Sequence, residues 1–137
     1  MQEPPINYLF MFYSNRKVLV TGGASFIGSH LVDQLLAQGA RVRVVDDLSS
    51  GVLKNLEQCM DAIEFIQGDL RDYSVANDTV AGQDIVFHLA NIHGGRGFID
   101  SVPGVSVHNF AFEGIVFRAA EENGVDRVCF TSSACSY

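Results

Sequence analysis

The residues best suited to chemistry lie in a short stretch near the amino terminus, Lys17 to His30, with the sequence KVLVTGGASFIGSH. The apolar run Val18 to Val20 predicts a central parallel strand that is covered on both faces. Gly22 and Gly23 interrupt this strand, and the next residues open a helix whose free N-terminal amides suit a pyrophosphate. Gly28 allows this helix to pack close to the strand. The stretch therefore predicts a strand, a glycine turn and a helix that together bind phosphate groups.

A second candidate is the carboxylate of Asp46, about 20 residues beyond the glycine turn. Arg41 to Asp46, RVRVVD, predicts a second strand that ends in this acid. At this point of a dinucleotide-binding fold, a carboxylate accepts both ribose hydroxyls of NAD and repels the 2′-phosphate of NADP. Arg41 and Arg43 lie inside the strand instead of after it. The residues favour NAD over NADP, and a solvated Asp at a strand end is the alternative.

Composition limits the class of protein. The chain of 137 residues carries 9 basic and 16 acidic residues, and its net charge of −7 argues against affinity for nucleic acid or for an anionic membrane. Its cysteines, Cys59, Cys129 and Cys135, lack C-x-x-C spacing, so we expect neither a disulfide framework nor a metal site. The apolar run Ile6 to Tyr13 follows Glu3 and two prolines, which is atypical of a signal peptide, and is too short to span a membrane. A cytoplasmic protein fits best.

The remaining pattern alternates strands with helices, as in a doubly wound α/β sheet. A first helix over about Phe26 to Gln38 places Ile27, Leu31, Leu35 and Leu36 on one stripe, and a turn-rich loop over Leu48 to Lys54 precedes a short helical stretch. Further strands are predicted at Ile63 to Gln67, Asp84 to Leu89 and Arg127 to Thr131, with a long helix at Val105 to Asn123. We expect an N-terminal extension over 1–16 and one domain over 17–137.

Other polar residues follow the predicted strands. Asn91 to Ser101 is a glycine-rich loop at the carboxyl end of a strand, where α/β proteins bind substrate, so Gly94, Gly95 and Arg96 are candidate substrate contacts. His88, by contrast, is more typical of a packed strand residue than of a ligand. Asp72 is suited to begin a helix as its cap.

The motifs TGGASFIGSH, VVDD, GDLRD, FHLAN and FTSSACSY occur in the order found in extended short-chain dehydrogenases/reductases. The chain resembles the cofactor-binding part of the NAD-dependent epimerase/dehydratase family, and GGRGFIDS with SSACSY resembles GDP-mannose 3,5-epimerases. This resemblance implies a Rossmann-like sheet of strand order 3-2-1-4-5, which ends after the fifth strand without the substrate lobe. Ser25 replaces the middle glycine of the family's T-G-x-x-G-x-x-G, where its side chain either crowds a phosphate or offers it a hydroxyl.

The resemblance also implies roles for individual residues. Asp69 and Leu70 would lie beside the adenine and Ala90 against the cofactor, while Asn109 would reach the nicotinamide side or cap a local turn. The full predicted set of NAD contacts is Gly22, Ser25, Phe26, Ile27, Gly28, Asp46, Asp69, Leu70, Leu89, Ala90, Asn109 and Ser132.

In this family a Tyr, helped by a Lys and by a Ser or Thr, removes a hydroxyl proton from a nucleoside-diphosphate sugar as hydride moves to NAD⁺. Ser133 matches the Ser, and Cys135 matches a further acid/base, although a small residue after a strand is the alternative. The family's Y-x-x-x-K is missing after Ser133, so we expect the chain alone to be inactive. It is interpreted as part of such an enzyme or as a noncatalytic NAD(P)-binding or sensing module.

The helix predicted at 105–123 has apolar residues on more than one face. Phe110, Phe112, Ile115, Val116 and Phe117 cannot all contact one sheet. In the resembling family this helix forms a dimer contact, so we expect a homodimer. The alternative is a monomer in which Ile6 to Tyr13 covers the helix.

Overall fold

A computed structural model describes residues 12–92, 101 and 104–132 of the chain, with only the backbone described at positions 105 and 106. Several predictions of the sequence analysis concern residues outside this set. They are the substrate contacts Gly94, Gly95 and Arg96, the catalytic candidates Ser133 and Cys135, and most of the run Ile6 to Tyr13.

The described residues form a parallel sheet with helices on both faces. Its strands lie in the order β3-β2-β1-β4-β5, which confirms the predicted topology. In chain order the elements are β1 (Lys17–Thr21), α1 (Phe26–Ala37), β2 (Arg41–Asp46), two 3₁₀ turns (Leu53–Leu56 and Met60–Ala62), β3 (Ile63–Gln67), α2 (Tyr73–Val80), β4 (Ile85–His88), α3 (Val105–Glu122) and β5 (Arg127–Phe130).

The core explains why β1 is apolar throughout. Val18, Leu19 and Val20 are fully buried because both faces of the sheet are covered. Val18 and Val20 pack with residues of α1, including Val32 and Leu35. Leu19 belongs to the cluster on the opposite face, which α2 and α3 complete.

The predicted stripe of α1 is wrong at Ile27, which is 67% exposed. The residues of α1 that are buried are Gly28, Ser29, Val32 and Leu35. The shift has a steric cause, since Gly28 approaches the glycine turn closely and thereby places that side of the helix against the sheet. Ile27 lies in the first turn, on the solvent side.

The long helix α3 buries one face only. Phe112 and Val116 are buried in the core, whereas Val107 and Phe110 are 68% and 73% exposed. The sequence predicted that the apolar residues of this helix could not all contact the sheet, and Phe110 indeed faces away from the core that buries Phe112. At the sheet edge, Phe130 of β5 is 55% exposed and meets Phe117 ring to ring at 5.4 Å. None of the helices described is long and apolar enough to cross a membrane.

Candidate functional site

A cavity of about 260 Å³ opens at the carboxyl ends of β1, β2 and β4 and beside the loop that follows β3. It lies where the chain reverses its strand order, which is the usual ligand position in such sheets. Its volume is just below the roughly 300 to 1,000 Å³ of typical small-molecule pockets, so it suits part of an extended ligand. Residues of the predicted cofactor site that line it are Gly22, Ser25, Asp46, Asp69, Leu70, Leu89 and Ala90.

The glycine turn leaves no room for side chains. Gly22 has a φ of +69°, and a Cβ there would lie 2.9 Å from the amide nitrogen of Ala90. A Cβ on Gly28 would lie 2.3 Å from the carbonyl oxygen of Gly22. Only glycine at both positions allows the turn, the helix and the end of β4 to converge.

Ser25 uses its hydroxyl within the turn. Its Oγ donates to the carbonyl of Gly22 at 2.6 Å and accepts from the amide of Gly28 at 3.2 Å, which makes Ser25 the cap of α1. The N–H groups of Phe26 and Ile27 donate to no described residue, as expected of free donors at the start of a helix. Their side chains are 77% and 67% exposed and do not line the cavity. Cofactor contact at these positions stays a prediction.

Asp46 is the most buried carboxylate at the cavity, with 7% of its surface exposed. Its Oδ2 accepts from the amide of Ala24 and its Oδ1 from the amide of Leu48, both at 2.9 Å. Leu48 has a φ of +61°, a left-handed conformation that leucine rarely adopts, and the hydrogen bond from its N–H to Asp46 stabilises this conformation. A carboxylate has about four acceptor sites, so about two remain for a ligand.

Gly51 is a site residue that the sequence analysis missed. A Cβ at this position would lie 2.8 Å from Oδ1 of Asp46 and 2.9 Å from its Oδ2. Only hydrogen at Gly51 therefore lets the loop close over the carboxylate. The sequence did contain a signal for this residue, because Gly51 follows two serines in the loop after Asp46.

The segment after β3 adds a second carboxylate. Asp69 and Leu70 line the cavity, and so does Arg71, which the sequence analysis did not select. Hydrogen bonds from Arg71 lower the pKa of the Asp69 carboxyl below its usual value. Asp72 accepts from the amide of Ser74 at 2.8 Å and caps α2, as predicted.

His88 is a packed strand residue, as predicted. Oγ1 of Thr21 lies 2.8 Å from its Nδ1 and accepts from the amides of Leu89 and Ala90 at 3.1 Å. Because the two amides use both acceptor sites of that hydroxyl, its hydrogen is donated to Nδ1, and the ring proton is assigned to Nε2. Nε2 is buried without a partner among the described residues, and burial lowers the pKa of His88 to about 4.

Asn109 and Ser132 were also predicted to contact NAD, and neither of them lines the cavity. The amide of Asn109 accepts from the backbone N–H of Ile92 at 2.8 Å and donates to its carbonyl at 2.9 Å. This pairing holds Ile92, which lines the cavity, so Asn109 supports the wall. Ser132 is exposed after β5 and does not line the cavity. For both residues, contact with a cofactor stays a prediction.

A Tyr-x-x-x-Lys spacing does occur at Tyr13 and Lys17, but the fold separates it from the cavity. Tyr13 packs against Phe87 at 6.3 Å between ring centroids, and Lys17 begins β1 at the amino end of the sheet. The cavity is at the opposite edge. No cluster of acidic, His and Cys side chains within the described ranges could hold a metal ion.

Comparisons with known proteins agree with this geometry. The UDP-glucose 4-epimerase of Mycolicibacterium smegmatis is 37% identical over 88% of this chain and 39% of its own length. The GDP-mannose 3,5-epimerase 1 of Oryza sativa subsp. japonica is 34% identical over 88% of this chain and 32% of its own. The chain therefore spans well under half the length of these relatives.

A solved structure aligns over the same region. The UDP-glucose-4-epimerase of Stenotrophomonas maltophila, determined with bound NAD and formylated UDP-arabinopyranose, superposes with a TM-score of 0.80 at 30% identity. The superposition covers 88% of this chain and 38% of that one. The model of the NAD dependent epimerase/dehydratase family matches residues 18–137. On this match and these identities, the chain belongs to the NAD dependent epimerase/dehydratase family.

Proposed function

We propose that this chain binds NAD in the cavity and forms the cofactor-binding part of a nucleotide-sugar epimerase or dehydratase. The observation that carries the proposal is the state of Asp46. Its carboxylate is fixed by two amide bonds and keeps about two acceptor sites, which suits the two hydroxyls of an unphosphorylated ribose.

The surrounding residues fit a dinucleotide. Gly22 and Gly28 allow the turn and the helix to pack closely, and the free N–H groups of Phe26 and Ile27 at the start of that helix can donate to a pyrophosphate. NAD, when bound, supplies a hydride acceptor that returns the hydride later. In the chain itself, Ser133 would hold the reacting sugar hydroxyl and Cys135 would move a proton at a neighbouring carbon. Gly94, Gly95 and Arg96 would contact the nucleoside-diphosphate sugar.

The same resemblance limits what residues 1–137 do alone. The Tyr-Lys pair that takes the hydroxyl proton in the family is missing after Ser133, so these residues by themselves should bind NAD without turnover. The binding unit would be 17–137, with 1–16 as an extension, in a cytoplasmic protein. Epimerisation of UDP-glucose or GDP-mannose by the purified chain would contradict this proposal.

Titration calorimetry with NAD⁺ and NADP⁺ tests the cofactor assignment. NAD⁺ should bind more tightly, because Asp46 accepts the ribose hydroxyls and repels a phosphate in their place. Equal affinities, or a preference for NADP⁺, would defeat the assignment. Binding of neither nucleotide would remove the proposed function itself.

We also propose a homodimer through α3. Val107 and Phe110 form an exposed apolar face on this helix, and such faces often mark interfaces. Sedimentation across a dilution series should show a concentration-dependent dimer, and a constant monomer mass would overturn the proposal. Phe110→Ser should favour the monomer, whereas Val52→Ser, at another exposed apolar residue, should leave the mass unchanged.

A further inference from the structure

The backbone of Ala24 connects the glycine turn to the loop that follows β2. Its N–H donates to Oδ2 of Asp46 at 2.9 Å. Its carbonyl oxygen accepts from Nδ2 of Asn55 at 2.9 Å and from the N–H of Val52 at 3.1 Å. A carbonyl oxygen has two lone pairs, and these two donors occupy both of them. Ala24 is fully buried, so its backbone polar groups bond to Asp46 and to the loop instead of to water.

Asn55 approaches Ala24 from a part of the chain that is anchored in the core. It belongs to the 3₁₀ turn Leu53–Leu56, and its neighbour Leu56 is fully buried and packs with residues of α1. Because its partner is a carbonyl oxygen, the side-chain amide of Asn55 must present its nitrogen. Asn55 does not line the cavity. Any effect of Asn55 on a ligand must therefore pass through other residues.

The loop between Asp46 and Asn55 packs directly on the carboxylate. A Cβ on Gly51 would lie 2.8 Å and 2.9 Å from the two oxygens of Asp46 and 3.0 Å from the Cβ of Ala24. The loop thus contacts Asp46 and Ala24 together, and the donors from Val52 and Asn55 hold its far end against the glycine turn. Without the Asn55 amide, the N–H of Val52 would be the remaining donor to that carbonyl among the described residues.

On the basis of the proposed NAD function, we propose that Asn55 is a positioning residue that fixes Asp46 against the glycine turn and thereby strengthens the preference for NAD over NADP. NAD binding depends on the place of this carboxylate, because the ribose hydroxyls need its remaining acceptor sites. NADP carries a phosphate there and gains no such hydrogen bonds. A less constrained Asp46 therefore weakens the binding of NAD more than the binding of NADP.

Titration calorimetry of Asn55→Ala with NAD⁺ and NADP⁺ tests this role. The NAD⁺ affinity should fall about fivefold, the value of one neutral hydrogen bond, while the NADP⁺ affinity should change by less than about twofold. In the Asp46→Ala background, the same substitution should leave the ratio of the two affinities unchanged, because Asn55 acts through Asp46. An unchanged ratio in Asn55→Ala, or a further fall of the ratio in that background, would overturn the role of Asn55.

Asn123→Ala is the matched control. Nδ2 of Asn123 also donates to a backbone carbonyl, that of Ala119 at 2.8 Å, and Asn123 does not line the cavity. This variant should keep the ratio of the unmodified chain. The same fall in Asn123→Ala would overturn the assignment, because loss of any such hydrogen bond would then have the same effect.

Hydrogen exchange without nucleotide gives a second readout. The N–H groups of Ala24 and Leu48 both donate to Asp46, so they should exchange about fivefold faster in Asn55→Ala. The N–H of Ser74, which donates to a different carboxylate, should exchange at an unchanged rate. Equal exchange at Ala24 and Leu48 in the two proteins would overturn the coupling of Asn55 to Asp46. Binding of neither dinucleotide by the unmodified chain would instead overturn the proposed function.

Discussion

Two carboxylates lie at the ends of neighbouring strands of this sheet, yet they differ in burial and in the groups that bond to them. Asp46 ends β2, is 7% exposed, and accepts one backbone amide on each oxygen. Asp69 follows β3, and its side chain is 44% exposed and forms an ion pair with Arg71. The buried group is thus held by two backbone amides, whereas the exposed group is held by the residue two positions along the chain. Loss of Asp46 should therefore lower both NAD⁺ binding and stability, whereas loss of Asp69 should change stability little.

The largest expected effect comes from Asp46→Ala. We expect NAD⁺ affinity to fall about tenfold or more, with a smaller preference over NADP⁺, because the ribose loses its acceptor. The free energy of unfolding should also fall by about 1 to 3 kcal/mol, because the buried amide of Ala24 loses its partner. Calorimetry and urea unfolding measure the two effects.

Asp78→Ala, at an exposed acid on α2, is the control for loss of one negative charge. It should change neither quantity appreciably. If Asp46→Ala bound NAD⁺ as tightly as the unmodified chain, the contrast between the two carboxylates would have no functional meaning.

Acidification should have an intermediate effect on the free energy of unfolding. This effect arises from the titration of His88 and not from the two carboxylates. Burial lowers the pKa of His88 from 6.5 to about 4, so between these values the unfolded chain takes up a proton that the folded chain does not. The free energy of unfolding should therefore fall by about 2 kcal/mol from pH 7 to pH 5.

Urea unfolding at both pH values measures this loss. His88→Asn keeps a side-chain acceptor for Thr21 but does not titrate, so its stability should depend less on pH over this interval. An equal pH dependence in both proteins would show that another group is responsible.

The smallest effect is expected from Asp69→Ala. Its half-exposed ion pair should contribute no more than about 0.5 kcal/mol to stability at pH 7. Because Arg71 lowers the pKa of Asp69, this contribution is present above the usual value of 3.8 and is lost as pH falls through the lowered pKa. Unfolding curves at pH 7 and pH 3 should show the difference shrinking. A loss of several kcal/mol at pH 7 would mean that Asp69 is as structural as Asp46.

Much of the fold was predictable because its signals are local. The strands Arg41–Asp46 and Ile63–Gln67 have the predicted bounds, since β-branched and apolar runs bordered by glycine are read directly from the chain. The glycine turn, the cap at Asp72 and the packed state of His88 were also predicted from residue type and spacing. The stripe of α1 was not, because the close contact of Gly28 with Gly22 sets which side of the helix is buried.

The sequence by itself determined the alternation of strands and helices and the placing of the acids at the strand ends, because these depend on periodicity and spacing. Its motifs carried the resemblance to the family, and that resemblance implied the strand order. Only the tertiary structure decided which of their atoms are already hydrogen-bonded. The amide of Ala24 donates to Asp46, Gly51 allows the loop to close over that carboxylate, and Arg71 forms an ion pair with Asp69. The availability of an acceptor depends on atomic distances of about 3 Å between groups from different segments, and residue spacing does not specify such distances.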